Sequence, residues 1–399
     1  MELTTLLGDL ISIRSENPMG RAFDEETDFE SRLTDYLEKF FSSLELPTLR
    51  QVVAPRRDNI LARIDPPRRR DTPDRLLLFD VHQDTVPADP EQKEPFVART
   101  EGTRIYGRGA CDVKGGMTSI LMALQRLVKL RPPEMPTIIV ACTVNEEHGF
   151  SGATQLTRLW DTDLPSDFLG RKPDACVVIE PTELKVVVRH KGVVRWRCHT
   201  VGKAAHSSQL SEGENAIYRM THVLQSLESY NRDVLPTLGN DQLCGCGTLS
   251  VGTVSGGLSV NTIPDRCTIE IDRRLMPDES PQEAYHHAID HLRTLESRGI
   301  ETVHDPPMLS SPGLRGDKNS GLARNLLEAS EHAGPRDALE GVPYGTNAGI
   351  ISSTNIPTVV FGPGSIKQAH TADEWIDVRQ IQKASDAFWR FATQPGQLG

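Results

Sequence analysis

Over the first two hundred residues, short apolar runs alternate with stretches of helical periodicity, the pattern of strand-helix-strand units around a mostly parallel sheet. Leu76 to Val81, Thr137 to Val144 and Ala175 to Ile179 read as buried strands. Between the first two, Met117, Ile120, Leu121, Leu124, Leu127 and Val128 have the spacing of an amphipathic helix, which ends before Pro132 and Pro133. The Pro- and Arg-rich stretch from Pro66 to Pro73 reads as an exposed loop.

After about residue 190 the rhythm changes. Val194, Trp196 and Cys198 alternate with Arg195, Arg197 and His199, as in a half-solvated antiparallel strand. A helix (Ala216, Met220, Val223, Leu224, Leu227), strands near Thr248 to Val254 and Thr268 to Arg273, a helix (Ala284, Ala288, Leu292, Leu295) and a strand near Ile300 to Val303 follow. This is the β-α-β-β-α-β order of the split βαβ sandwich. From about residue 307 the pattern returns to helix, then a strand at Thr358 to Phe361 and a last helix ending near Ala392. The expected fold is α/β. A mostly parallel central sheet flanked by helices forms one domain from residues 1–190 and 307–399, and a ferredoxin-like domain, 191–306, is inserted into it.

Composition narrows the class. A chain of 399 residues with 37% hydrophobic and 25% charged residues is globular and long enough for two or three domains. Lys and Arg number 44 against 55 Asp and Glu, and the net charge of −11 argues against a nucleic-acid partner. The amino terminus lacks a basic start and an unbroken apolar core, and no apolar run approaches the roughly 18 residues of a membrane span. A soluble, cytoplasmic protein with no membrane partner is expected. Seven cysteines, an odd number thinly spread, fit a reducing compartment. Cys244-Gly245-Cys246 is a metal or redox candidate only at an unusual spacing.

The candidate chemistry lies where strands end. Leu76 to Val81 runs into His82 and Asp84, Thr137 to Val144 into Glu146 and Glu147, and Ala175 to Ile179 into Glu180. Thr358 to Phe361 leads through a Gly-Pro-Gly loop to His370. Ligands of open α/β sheets bind beyond the carboxyl ends of the strands, so these groups should converge on one edge. In His82-Gln83-Asp84 the extended chain points both side chains one way, so the Asp can hold the imidazole while its other nitrogen binds a metal. The glycine-rich Gly107 to Gly116 fits neither the dinucleotide fingerprint nor the P-loop, and Asp112 within it reads either as a ligand or as a helix N-cap. In extended chain Glu146 and Glu147 face opposite ways, one toward a metal and one toward a bound water. Two histidines and three carboxylates with a glutamate to spare suit a two-metal site, with zinc first and cobalt or manganese as substitutes.

The strings His82-Gln83-Asp84-Thr85-Val86-Pro87, Gly107 to Gly116, Asn145-Glu146-Glu147, Ile179-Glu180-Pro181-Thr182 and Ala369-His370-Thr371 resemble, in order, the motifs of a dinuclear zinc hydrolase family. That family includes acetylornithine deacetylase, succinyl-diaminopimelate desuccinylase, aminoacylase and glutamate carboxypeptidase. The resemblance implies that His82 and Glu180 hold one metal, Glu147 and His370 the other, and Asp112 bridges. It implies Asp84 as the residue orienting His82 and Glu146 as general base.

The inserted segment resembles the family's lid and dimerisation domain, which implies a homodimer. Gly202 to Ser207 resembles the stretch whose histidine, here His206, reaches the substrate carbonyl. Asn261 in Val260 to Asp265 and Arg274 in Asp272 to Pro277 resemble substrate-binding residues, with Arg274 preferred to Arg273 for a substrate carboxylate. Gly345-Thr346-Asn347 resembles a pocket-lining turn in which an acid usually stands where this chain has Asn347, with Thr346 a substrate contact. The implied activity is hydrolysis of the amide bond of an N-acyl amino acid. A carboxypeptidase or dipeptidase acting on short peptides is the nearest alternative, and a catalytically silent metal-binding scaffold the alternative of another class. His222, His286, His287, His291 and His332 read as ordinary helix residues, and His148 as a supporting neighbour of Glu147.

Overall fold

Every residue of Leu76–His82, Thr137–Thr143, Ala175–Val178 and Thr358–Val360 is buried. Burial on both faces is what continuous apolar runs produce when helices cover a parallel sheet. In this computed structural model residues 2–21, 24, 29–67, 75–161, 166–316, 319–330 and 339–393 are described. The chain forms two units, one from Met1–Val188, Arg315–Glu340 and Thr346–Gly399, the other from Arg189–Leu314 and Gly341–Gly345.

Among the described residues the large sheet has eight strands in the order Thr48–Ala54, Arg57–Ile64, Thr137–Thr143, Leu76–His82, Ala175–Val178, Thr358–Val360, Val187–His190 and Glu340–Val342. The four from Thr137–Thr143 to Thr358–Val360 run parallel, and the neighbours on either side, Arg57–Ile64 and Val187–His190, are antiparallel to them. The fold is therefore mixed α/β with a mostly parallel centre. Its hydrophobic core joins alternate residues of these strands to helices Gly115–Leu130, Ser320–Ser330 and Val378–Thr393. Phe79 meets Phe388 and Phe391 edge to face there, at ring separations of 5.4 and 6.4 Å.

Helix Gly115–Leu130 stops short of the prolines, with Arg131 in the left-handed conformation donating its N–H to the Leu127 carbonyl. Thr48–Ala54 has no alternation of burial, so periodicity alone does not reveal this edge strand. Of the loop expected at Pro66 to Pro73, all but the first two residues lie outside the described residues, as does His332.

In the second unit the principal elements are Gly192–Val201, helix Ala216–Ser229, Thr248–Gly256, Arg266–Leu275, helix Pro281–Arg293 and Thr302–His304. The sheet order is Thr248–Gly256, Arg266–Leu275, Gly192–Val201, Thr302–His304, with Leu309–Ser311 also pairing Gly192–Val201. Both helices bury apolar faces against it around Trp196, Ile269 and Ile271. Burial alternates through Arg266–Leu275, which turns Arg273 inward and leaves Arg274 partly exposed. All seven cysteines are free, and among the described residues no metal-capable cluster contains one, so Cys244 and Cys246 form no such site. No described helix is long and apolar enough to cross a membrane.

Candidate active site

Parallel pairing of Leu76–His82 with both Thr137–Thr143 and Ala175–Val178 brings His82, the Glu146-Glu147 turn and Glu180 to one edge. Gly362 follows the fourth parallel strand. A Cβ there would lie 2.6 Å from the Glu180 carbonyl, so the loop toward His370 passes where only glycine fits. Two groups of donors result, His82 with Asp112 and Glu180, and Asp112 with Glu147 and His370, each with ligand atoms within 4.8 Å of one another.

Asp112 belongs to both. Its Oδ1 is 3.0 Å from His82 Nε2, and its Oδ2 is 3.4 Å from His370 Nε2, which is itself 3.1 Å from Glu147 Oε2. The residue sits in a wide helical turn, Ala110–Lys114, but with φ −120° and ψ 90°, and the Asp112-Val113 peptide is cis. It caps no helix, so its carboxylate is left to face both histidines.

The electrostatics favour cations here. Burial pushes Glu146 and Glu180 well above the usual carboxylate range, with their neighbours' negative charge adding to it. Burial and the nearby Asp112 push Glu147 up to about 7, and its Oε1 is buried without a hydrogen-bond partner. Hydrogen bonds that the His370 imidazole donates to the Asp112 and Glu147 carboxylates raise it to about 11. An orphaned carboxylate oxygen among crowded acids and two imidazoles is a donor set that fits divalent metal ions.

Asp84 does something other than the sequence suggests. The imidazole of His82 donates from Nδ1 to the Asp84 main-chain carbonyl at 2.8 Å, whereas the Asp84 carboxylate lies 3.7 Å away. That carboxylate accepts instead from the backbone N–H of Glu146 (3.0 Å) and Glu147 (3.1 Å) and from Asn17 Nδ2 (2.8 Å). The two glutamates follow Asn145 at φ 61° in a turn, not an extended segment, so strand alternation does not set their directions. Asp84 sets them. Replacing Asp84 with Ala keeps the carbonyl that holds His82 and strips the acceptor from both amides. Zinc affinity is therefore expected to fall at the Glu147–His370 side while the His82–Glu180 side is retained, as read by titration against a competing chelator. Equal loss at both sides would contradict this.

Other candidate residues divide by unit. In the second unit, Ala205–His206 pairs with Thr262–Ile263, and Ser207 N donates to Asn261 O at 3.0 Å, so His206 and Asn261 are neighbours. His206 is exposed, with Nδ1 2.8 Å from Ser208 Oγ. Arg273 is fully buried and paired with Glu279 at 2.6 Å, whereas the partly exposed Arg274 is held by Asp272. In the first unit, Thr346 caps helix Asn347–Ser353 through Oγ1. Asn347 is buried, and its Nδ2 donates to Asp80 Oδ2 (2.9 Å) and Thr143 Oγ1 (3.0 Å). The side chain at this position is thus engaged within the sheet.

Residues that sequence reasoning passes over complete the frame. Glu30, buried and raised to about 7 by that burial, pairs with Arg57 at 2.5 Å and accepts the Asn145 N–H. Asn145 Oδ1 accepts from both Arg57 and Asn17. Nothing in the local pattern at Asn17, Glu30 or Arg57 signals this, because each acts through contacts distant in sequence. Glu374, four residues after His370, lies outside the Ala369-His370-Thr371 string and is passed over in the same way.

The family described as Peptidase family M20/M25/M40 matches residues 78–394, and the chain belongs to it. It is a metal-dependent hydrolase. Acetylornithine deacetylase of Myxococcus xanthus is 30% identical over 309 residues, covering 75% of each chain. The acetylornithine deacetylase of Buchnera aphidicola subsp. Schizaphis graminum is 29% identical over 88% of this chain and 87% of its own. The fold is shared with an M20 family metallo-carboxypeptidase, Sso-CP2 of Sulfolobus solfataricus, at TM-score 0.76 and 19% identity over 98% and 99% of the two chains. It is shared also with the Bacillus subtilis YXEP protein, a dinuclear metal-binding peptidase of the M20 family, at TM-score 0.68 and 17% identity over 98% and 96%.

Proposed function

We propose that this chain cleaves the amide bond of small N-acyl amino acids, with Glu146 as general base beside two divalent ions, zinc by preference. The convergence of His82, Asp112, Glu147, Glu180 and His370, with Glu146 among them, carries the reading. His82 and Glu180 hold one ion and Glu147 and His370 the other, with Asp112 shared. Bound there, the ions supply Lewis acidity that lowers the pKa of water and offsets negative charge developing on the carbonyl oxygen.

The Glu146 carboxylate takes the proton of the attacking water and passes it to the departing amine nitrogen. Its burial among acids raises its proton affinity, which suits a group that must hold that proton between two steps. In the inserted domain, residues 191–306, read as a lid, His206 donates to the substrate carbonyl oxygen and Arg274 grips a substrate carboxylate. Asn261 and Thr346 line the substrate's path. Edge strand Thr248–Gly256 of the second unit, with exposed Val254 and the nearby sequence's exposed Leu258, suits pairing with a second copy, a homodimer in the cytoplasm.

The acetylornithine deacetylase relatives favour an acyl amino acid over a peptide. The zinc-loaded protein, offered N-acetyl and N-succinyl amino acids beside dipeptides, is expected to show kcat/KM at least 100-fold higher on an N-acyl amino acid, and none after chelation. Preferential release of carboxyl-terminal amino acids would make it a carboxypeptidase or dipeptidase. A loaded protein inert to the whole panel would make it a silent scaffold.

A further inference from the structure

A carboxylate outside the ligand set joins two of the segments that carry it. Glu374, four residues after His370, is 1% exposed. Its Oε1 accepts from the backbone N–H of Cys111 (2.9 Å) and Asp112 (3.0 Å), and its Oε2 from Gly109 N–H (2.8 Å) and Arg108 Nη1 (2.7 Å). Its own carbonyl accepts the Gly107 N–H at 3.1 Å. The loop so gripped leads into the turn Ala110–Lys114, which Lys114 N–H closes onto the Gly109 carbonyl at 2.8 Å. Gly107 and Gly109 have φ of 156° and 78°, and a Cβ on Gly109 would come within 2.7 Å of Thr85 Cγ2.

Only an ionised carboxylate can accept four donors converging on two oxygens, and such charge-assisted bonds are the strong ones. One of the four donors is the amide of Asp112 itself, so Glu374 holds the backbone from which that residue's carboxylate projects. Resting on the two-metal reading, we propose that Glu374 is a positioning residue for the metal pair. It locks the Asp112 backbone to the segment bearing His370, so that ligands 258 residues apart in sequence are set by one side chain. A purely structural ion pair with Arg108 is the competing account. It predicts that removing either partner costs stability and leaves metal affinity alone.

The test strips the full-length protein of metal and titrates it with Zn2+ against a competing chelator, with melting of the metal-free forms recorded in parallel. In Glu374→Gln the amide NH2 faces N–H donors, and zinc affinity is expected to fall about 10- to 100-fold, the range for outer partners of metal ligands. Arg108→Met, which leaves the three backbone donors in place, should keep affinity within about threefold of wild type while lowering the melting temperature. Wild-type affinity in Glu374→Gln, or an equal loss in Arg108→Met, overturns the proposal. Should Glu374→Gln fail to fold, Glu374→Asp, which withdraws the carboxylate by one methylene, decides in the same way. A wild-type protein that takes up fewer than two ions would sink the two-metal reading itself and is told apart by that stoichiometry.

Discussion

Glu146→Gln is expected to bind two divalent ions as tightly as the wild type and to turn over roughly 10²- to 10⁴-fold more slowly, the contribution of a positioned general base. The amide matches the carboxylate in shape but cannot accept a proton from water. The backbone N–H of residue 146 still reaches Asp84, so the turn and Glu147 stay in place. Glu146 is also one of the acids crowded around His82, and burial and Glu180 both raise its proton affinity. Removing that charge relieves repulsion, and the metal-free variant should melt no lower than the wild type. Metal content by elemental analysis, with kcat on the best substrate, checks both halves. Near-normal kcat would remove Glu146 as base, and lost metal would make it a ligand.

Asn347→Asp is the second large effect expected, here on stability. Asp80 is fully buried, and burial pushes its carboxyl up to about 6 even though hydrogen bonds from Asn347 and Thr143 pull it down. An acid at 347 would replace the donor 2.9 Å from Asp80 Oδ2 with a like charge. Uncompensated buried charges of this kind cost about 3 to 5 kcal/mol. Adding Asp80→Asn restores one donor facing one acceptor and should recover most of the loss, a coupling that a double-mutant cycle measures. Where the resembled family usually carries an acid in this turn, the present chain has the amide there and an acid on the adjoining strand. Chemical denaturation showing Asn347→Asp as stable as wild type, or no recovery in the double variant, would refute the pairing.

What the sequence made legible follows from what local pattern can carry. Full burial of Leu76–His82 and Thr137–Thr143 leaves runs that are largely apolar, broken in the first by Asp80, and such runs are easy to place. Their carboxyl ends then locate His82, Glu147 and Glu180 by a general rule of open sheets. The antiparallel hairpin Thr48–Ala54 and Arg57–Ile64 was not legible, because its outer strand is half-buried at every position except exposed Val52. At the site, residue identities were readable but hydrogen-bond partners were not. The spacing of His82 and Asp84 suggests a side-chain contact, yet the nearer acceptor is a carbonyl that every residue possesses. Asn347 reads as part of a pocket-lining turn through the resemblance alone, and local pattern gives no sign of its partner Asp80, 267 positions away.

Strand Thr358–Val360 lies between Ala175–Val178 and Val187–His190, which the ribosome makes some 170 residues earlier. Until it emerges, the nascent sheet carries an unfilled slot whose two bordering strands have unpaired backbone groups, a hazard for edge-to-edge aggregation. His370 follows that strand, so the donor set is complete only once residue 370 has been made. A carboxy-terminal deletion reaching into residues 358–360 should therefore yield insoluble protein rather than a weakened enzyme.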